Sequence, residues 1–199
     1  MPVNVLPTSR SIASEITGIR RKFGQGRRSE AIAELADAIS LALNCSEANC
    51  SREIAAALCT AAARADLLTL NDTQPCAERY ARHLLHADPG GRFTILAIVW
   101  GPGQASPIHA HHTWCAYAVR SGVLTETLYR FNVETGAAVP ARVAERRSGY
   151  GCYGDCHDDL DRDAIHRIAN QGTQPAISIH AYGVEVTRIA TGVNRLLPA

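Results

Sequence analysis

The sequence predicts a mainly β protein: a double-sheet jelly roll carrying an N-terminal α-helical segment. Three observations lead there. Ile32, Leu35, Ile39 and Leu43 recur at spacings of three and four, the stripe of an amphipathic helix. After Pro75 the character changes to short runs rich in β-branched and aromatic residues. Turn signals divide those runs, among them Asp88-Pro89-Gly90-Gly91, Gly101-Pro102-Gly103, Ser121-Gly122 and Asn170-Gln171-Gly172. Many short strands at close spacing favour an antiparallel sandwich or barrel, and a jelly roll leaves interior room for a metal and a small ligand. Residues 1–75 are expected to be the helical segment and 76–199 the barrel, one compact domain overall.

Taken in order, a first helix is expected over residues 12–23. A second, rich in alanine, should start at Ser29 as N-cap and stop at Asn44. A third should follow Ser51 and carry Ile54 and Leu58. These helices hold no cluster of metal-binding side chains and read as packing against one face of a sheet. Strands are expected over 80–85, 93–100, 114–119, 124–131, 141–146, 165–169, 176–182 and 184–189.

Composition narrows the function. Twenty basic residues against 19 acidic ones leave a net charge of +1, which is not the basic footprint of a nucleic-acid binder. No apolar run is long enough to span a bilayer, so no membrane partner is expected. The N-terminus lacks a charged stretch followed by an apolar one, and the seven cysteines are an odd, scattered set. Reduced thiols and a cytoplasmic location are the expectation.

The segment Ser106-Pro107-Ile108-His109-Ala110-His111-His112 carries the chemistry. Side chains two apart on a strand share a face, so His109 and His111 offer two nitrogens to one ion, while His112 points away. His166, in Ile165-His166-Arg167-Ile168, adds a third imidazole if the intervening chain folds back antiparallel. Three nitrogen ligands leave other positions open, as a catalytic metal site requires. Ser178, His180 and Tyr182 alternate along one expected strand and can form a hydrogen-bonded line on one face. Tyr80 and Arg82 likewise share a face.

Beyond these patterns, Phe93-Thr94-Ile95-Leu96-Ala97-Ile98-Val99-Trp100-Gly101-Pro102-Gly103-Gln104, the His109-Ala110-His111 signature, Gly122-Val123-Leu124-Thr125-Glu126-Thr127-Leu128 and Ser178-Ile179-His180-Ala181-Tyr182-Gly183 follow one another in an order that resembles the cysteine dioxygenase branch of the cupins. The resemblance implies the cupin double-stranded β-helix and a non-haem Fe(II) centre on His109, His111 and His166. Its implied activity is thiol dioxygenation, adding both atoms of dioxygen to a thiol sulfur, with the small-molecule thiol and dioxygen as partners. An all-nitrogen face leaves the iron more positive than a face containing a carboxylate, which suits an anionic thiolate.

The resemblance also implies roles for other residues. Ser178, His180 and Tyr182 would form a relay ending near the substrate. Arg82, beside Tyr80, would pair with the substrate carboxylate, since a guanidinium offers two parallel donors. Relatives specific for 3-mercaptopropionate carry glutamine there, so Arg82 favours L-cysteine, oxidised to cysteine sulfinic acid. Mercaptosuccinate is a further candidate thiol, and a non-catalytic small-molecule-binding cupin is the alternative from another class. One departure stands out. Animal members join a cysteine, five residues after the second histidine, covalently to the tyrosine. Ala116 holds that place and Cys115 is one residue early, so no Cys115–Tyr182 crosslink is expected.

Overall fold

The computed structural model describes residue 26, residues 28–154 and residues 165–198. Among these residues two α-helices lead: α1 over residues 28–42 and α2 over Glu47–Ala63. The expected helix at 12–23 lies outside the described residues. Ser29 is not an N-cap, because α1 is already helical at Arg28, whose guanidinium bridges both carboxylate oxygens of Asp72 at 3.0 Å. The next helix begins before Ser51, with Ser46 in the extended N-cap conformation.

Among the described residues ten strands follow: β1 (Ala81–Ala87), β2 (Thr94–Trp100), β3 (His109–His111), β4 (Cys115–Ser121), β5 (Val123–Asn132), β6 (Ala137–Arg147), β7 (Gly151–Gly154), β8 (Ile165–Ala169), β9 (Ala176–Tyr182) and β10 (Asn194–Leu196). They form two five-stranded sheets, ordered β1-β2-β9-β4-β7 and β10-β3-β8-β5-β6, and every recorded pairing is antiparallel. This is the double-stranded β-helix expected of a cupin.

Strand alternation sorts the first sheet into two faces. Ile95 and Ala97 of β2, Ala116 and Ala118 of β4, and Ile179 and Ala181 of β9 meet Ile32, Leu35, Ile39, Ile54 and Leu58 of the helices. Four of those six sheet residues are alanine, or small enough to let helices sit close, and the helical stripe read from the sequence supplies the bulk. Leu58 is wholly buried there, so its truncation to alanine costs about 2–5 kcal/mol. The opposite face of the same strands presents Leu96, Ile98, Trp100, Cys115, Tyr117, Ser178, His180 and Tyr182 to the barrel interior. Both faces of β2 are therefore covered, which explains its unbroken apolar run.

Three expectations need correction. Residues 184–189 are not a strand: β9 already has β2 and β4 as neighbours, and the chain leaves through Gly183 into a 3₁₀ turn at Val186–Arg188. Gly183 lies against the Trp114 indole so closely that a Cβ would fall 2.2 Å from its nitrogen. Strand β6 starts earlier than expected and takes Pro140 at a bulge, opposite Tyr129. As β6 is the edge of its sheet, the missing N–H of proline costs no ladder bond. The short strands β7 and β10 were not anticipated, since neither carries a strong period-two pattern of its own.

Candidate metal centre and its surroundings

Strand β3 places His109 and His111 on one face, and His109 stands directly opposite His166 of β8. The histidine ring centroids lie 4.6, 4.9 and 5.1 Å apart, and one ligand nitrogen from each falls within 4.8 Å of the others. The three imidazoles thus converge on one point from two adjacent strands, as the sequence led us to expect. Burial, reinforced by the neighbouring imidazoles, pushes His109 down to about 3 and His111 well below the ordinary histidine range. Neutral rings with free lone pairs are what a divalent ion needs. His112 is exposed and turned outward.

Two of the rings are oriented by their second nitrogen. Nδ1 of His109 donates to the Pro107 carbonyl at 3.0 Å, and Nδ1 of His166 lies 2.8 Å from a carboxylate oxygen of Glu126. The other Glu126 oxygen accepts from Arg146 Nε at 2.8 Å. Burial raises the Glu126 carboxyl, but the bonds from His166 and Arg146 outweigh it and hold the group down to about 2. Arg146 in turn lies 4.1 Å above the Tyr150 ring.

Across the cavity, Ser178 Oγ is 2.8 Å from His180 Nε2, and Tyr182 Oη is 3.0 Å from His180 Nδ1. The expected line of three polar groups is present and faces inward. Burial keeps His180 neutral, at about 3, and pushes the Tyr182 hydroxyl well up. The Tyr182 ring centroid is 6.3 Å from that of His111, so this line of polar groups ends beside the histidine cluster.

Tyr80 and Arg82 line the same cavity as the histidines, Cys115, His180, Tyr182 and Asn194. Arg82 reaches Tyr80 Oη at 3.1 Å and lies on the exposed rim of the opening. Its neighbour His83 points the other way, to the Gln74 carbonyl at 2.9 Å.

Cys115 is a free cysteine on the cavity side of β4. It pairs directly with Tyr182 across β4 and β9, and both line the cavity.

Sequence reasoning assigned no role to Glu126, Arg146 or Asn194. One signal for Glu126 was available: it shares strand parity with Leu124 and Leu128, an apolar face on which an unpaired carboxylate is not tolerated.

With this geometry in hand, the comparisons with known proteins bear on the barrel. Residues 67–190 match the family model described as cysteine dioxygenase type I. Cysteine dioxygenase type 1 of Homo sapiens is 32% identical over 108 residues, spanning 52% of this chain and 50% of the human protein. The Danio rerio protein of the same name is 29% identical over 106 residues, spanning 52% of this chain and 51% of its own. The chain therefore spans about half the length of the curated relatives it matches. Among solved structures, a Klebsiella pneumoniae protein with a double-stranded β-helix domain covers 68% of this chain and 100% of its own, at 14% identity and a TM-score of 0.47.

Proposed function

This chain belongs to the cysteine dioxygenase type I family, and from that membership and the site geometry we propose that it is a non-haem Fe(II) thiol dioxygenase. Its substrate is a small carboxylate-bearing thiol, with L-cysteine oxidised to cysteine sulfinic acid as the leading case. One observation carries this reading: three imidazoles converge within 4.8 Å with no carboxylate among them, in a cavity also lined by Arg82 and Tyr182.

The donor set fits the metal. Three nitrogen ligands suit iron, and burial holds His109 and His111 neutral so that their lone pairs are available. Bound there, Fe(II) supplies the site at which thiolate and dioxygen meet and exchange electrons. The balance is closed: sulfur gives up four electrons, dioxygen takes four, and both oxygen atoms end on sulfur, so no reductant enters.

The chain's own residues hold and orient the substrate. Arg82 receives the carboxylate at the rim, where Tyr80 Oη steadies the guanidinium. This leaves the thiol directed inward. Tyr182 presents its hydroxyl beside the histidine cluster, backed by His180 and Ser178. Its raised pKa keeps the phenol protonated, so it donates a hydrogen bond to the substrate or to developing negative charge on oxygen.

The test is oxygen uptake by iron-loaded protein given L-cysteine, 3-mercaptopropionate and mercaptosuccinate in parallel. We expect one dioxygen consumed per sulfinate formed, with the highest kcat/KM for L-cysteine. A preference for either other thiol would keep the chemistry and change the substrate. No uptake with any of them, at stoichiometric iron, would overturn the enzymatic reading in favour of a ligand-binding cupin.

A further inference from the structure

We propose that Glu126 is the positioning residue of the metal centre, fixing the tautomer and rotation of His166, and that Arg146 fixes Glu126. This rests on the reading of His109, His111 and His166 as metal ligands.

The argument starts from register. Glu126 of β5 pairs with Ile168 of β8, while His166 pairs with Leu128; Arg146 of β6 pairs with Leu124. Glu126 is thus diagonal to His166 on one side and to Arg146 on the other, two residues off in opposite directions and on the same face. Such diagonal neighbours lie about 7–8 Å apart at the backbone, within reach of long side chains. Three adjacent strands therefore deliver a histidine, a carboxylate and a guanidinium in line.

Chemistry then sets the roles. An ionised carboxylate only accepts, so at 2.8 Å from Glu126 the His166 Nδ1 carries the proton. Nε2 is left with its lone pair, directed at the point where His109 and His111 converge. His109 obtains the same tautomer from the Pro107 carbonyl, but a charged acceptor makes a stronger bond and a more basic ligand.

Glu126 is only 3% exposed. Arg146 Nε holds the second carboxylate oxygen at 2.8 Å, which fixes the rotation of the carboxylate and so the oxygen presented to His166, and Arg146 is itself stacked 4.1 Å over the Tyr150 ring. The histidine face brings no negative charge to a divalent ion; Glu126 supplies it one residue further out.

The experiment compares the wild type with Glu126→Gln and Arg146→Gln. Fe(II) affinity is measured anaerobically by competition with a chromogenic chelator, and the thermal midpoint of the metal-free protein alongside. Glu126→Gln keeps the shape and loses the charge, and should weaken iron binding about 10–100-fold; Arg146→Gln should weaken it less. The proton position on His166 is read independently by ¹H–¹⁵N NMR of zinc-loaded wild type, with the proton expected on Nδ1. That readout needs no variant and does not move with a purely structural role. Unchanged iron affinity in a folded Glu126→Gln protein, or a proton on Nε2, would overturn this inference alone. A wild type that binds neither zinc nor iron would overturn the metal-centre reading and this inference with it.

Discussion

The indole N–H of Trp100 donates to Ser178 Oγ at 2.9 Å, and this bond gives the relay a direction. An indole nitrogen can only donate. Ser178 therefore accepts from Trp100, and its own hydroxyl proton has His180 Nε2, at 2.8 Å, as its acceptor. The reverse arrangement, with Ser178 accepting from both, would strand a buried hydroxyl proton at a cost of about 1–3 kcal/mol. His180 then carries its proton on Nδ1 and donates to Tyr182 Oη, which frees the phenolic proton for the cavity.

Trp100→Phe removes the donor and keeps most of the bulk. Loss of one such hydrogen bond is worth about 1 kcal/mol, so kcat for thiol oxidation should fall about fivefold, with little change in KM and none in iron content. Tyr182→Phe, which removes the terminal group, should fall further. Steady-state oxygen uptake with parallel iron analysis checks both. A Trp100→Phe enzyme with wild-type kcat would mean that the relay does not depend on this direction.

The cysteines test the cavity in another way. Burial raises the Cys115 thiol well above its ordinary range, whereas Cys45 is exposed. Only thiolate reacts with iodoacetamide at a useful rate. In the folded protein Cys45 should therefore be alkylated and Cys115 spared, as read by peptide mass spectrometry. After denaturation all seven cysteines should react. Protection of Cys115 that survives denaturation, with Tyr182 in the same linked peptide, would show a thioether and overturn the expectation that none forms.

Cys115 also marks where the sequence stopped being readable. Parity along one strand is local, so the shared faces of His109 with His111, of Ser178 with Tyr182 and of Tyr80 with Arg82 could be read directly. So could the helical stripe that covers the first sheet. Relations between strands are another matter. They pass through loops whose lengths do not fix which residues pair, so neither Cys115 opposite Tyr182 nor Glu126 between His166 and Arg146 followed from spacing. Strand β10, with Asn194 at the cavity, was invisible for a related reason. Three residues paired to β3 have too little pattern of their own, and only the neighbour makes them a strand.

Acid should destabilise the fold through His180. Its folded pKa is held at about 3, first by burial and then by nearby positive charge, against an ordinary value of 6.5. Below pH 6.5 the unfolded chain binds a proton that the folded chain refuses, so stability rises with pH in this window and is lost as pH falls from about 6.5 towards 3. The slope is up to about 1.4 kcal/mol per pH unit for this one group. His109, also near 3, adds the same sign. Urea unfolding of metal-free protein across that range should show the decline, and His180→Gln should flatten it. An equal slope in the variant would place the acid sensitivity elsewhere.

Under the proposed function, Arg82 should read the carboxylate of the substrate. It stands at the rim of the cavity, joined to Tyr80 at 3.1 Å and making none of the bonds that orient the histidines. A charged hydrogen bond to a carboxylate contributes about 1.5–3 kcal/mol, so Arg82→Gln should raise KM for L-cysteine about 10–100-fold. Iron affinity should be unchanged, because the substitution leaves the three imidazoles and Glu126 untouched. The kcat at saturating thiol should fall less than KM rises, since the carboxylate is held alike before and during reaction. Parallel kinetics with cysteamine, which lacks the carboxylate, supply the control: wild type and Arg82→Gln should treat it alike. A substitution that damaged cysteamine turnover as much as cysteine turnover would show Arg82 supporting the site rather than reading the acid.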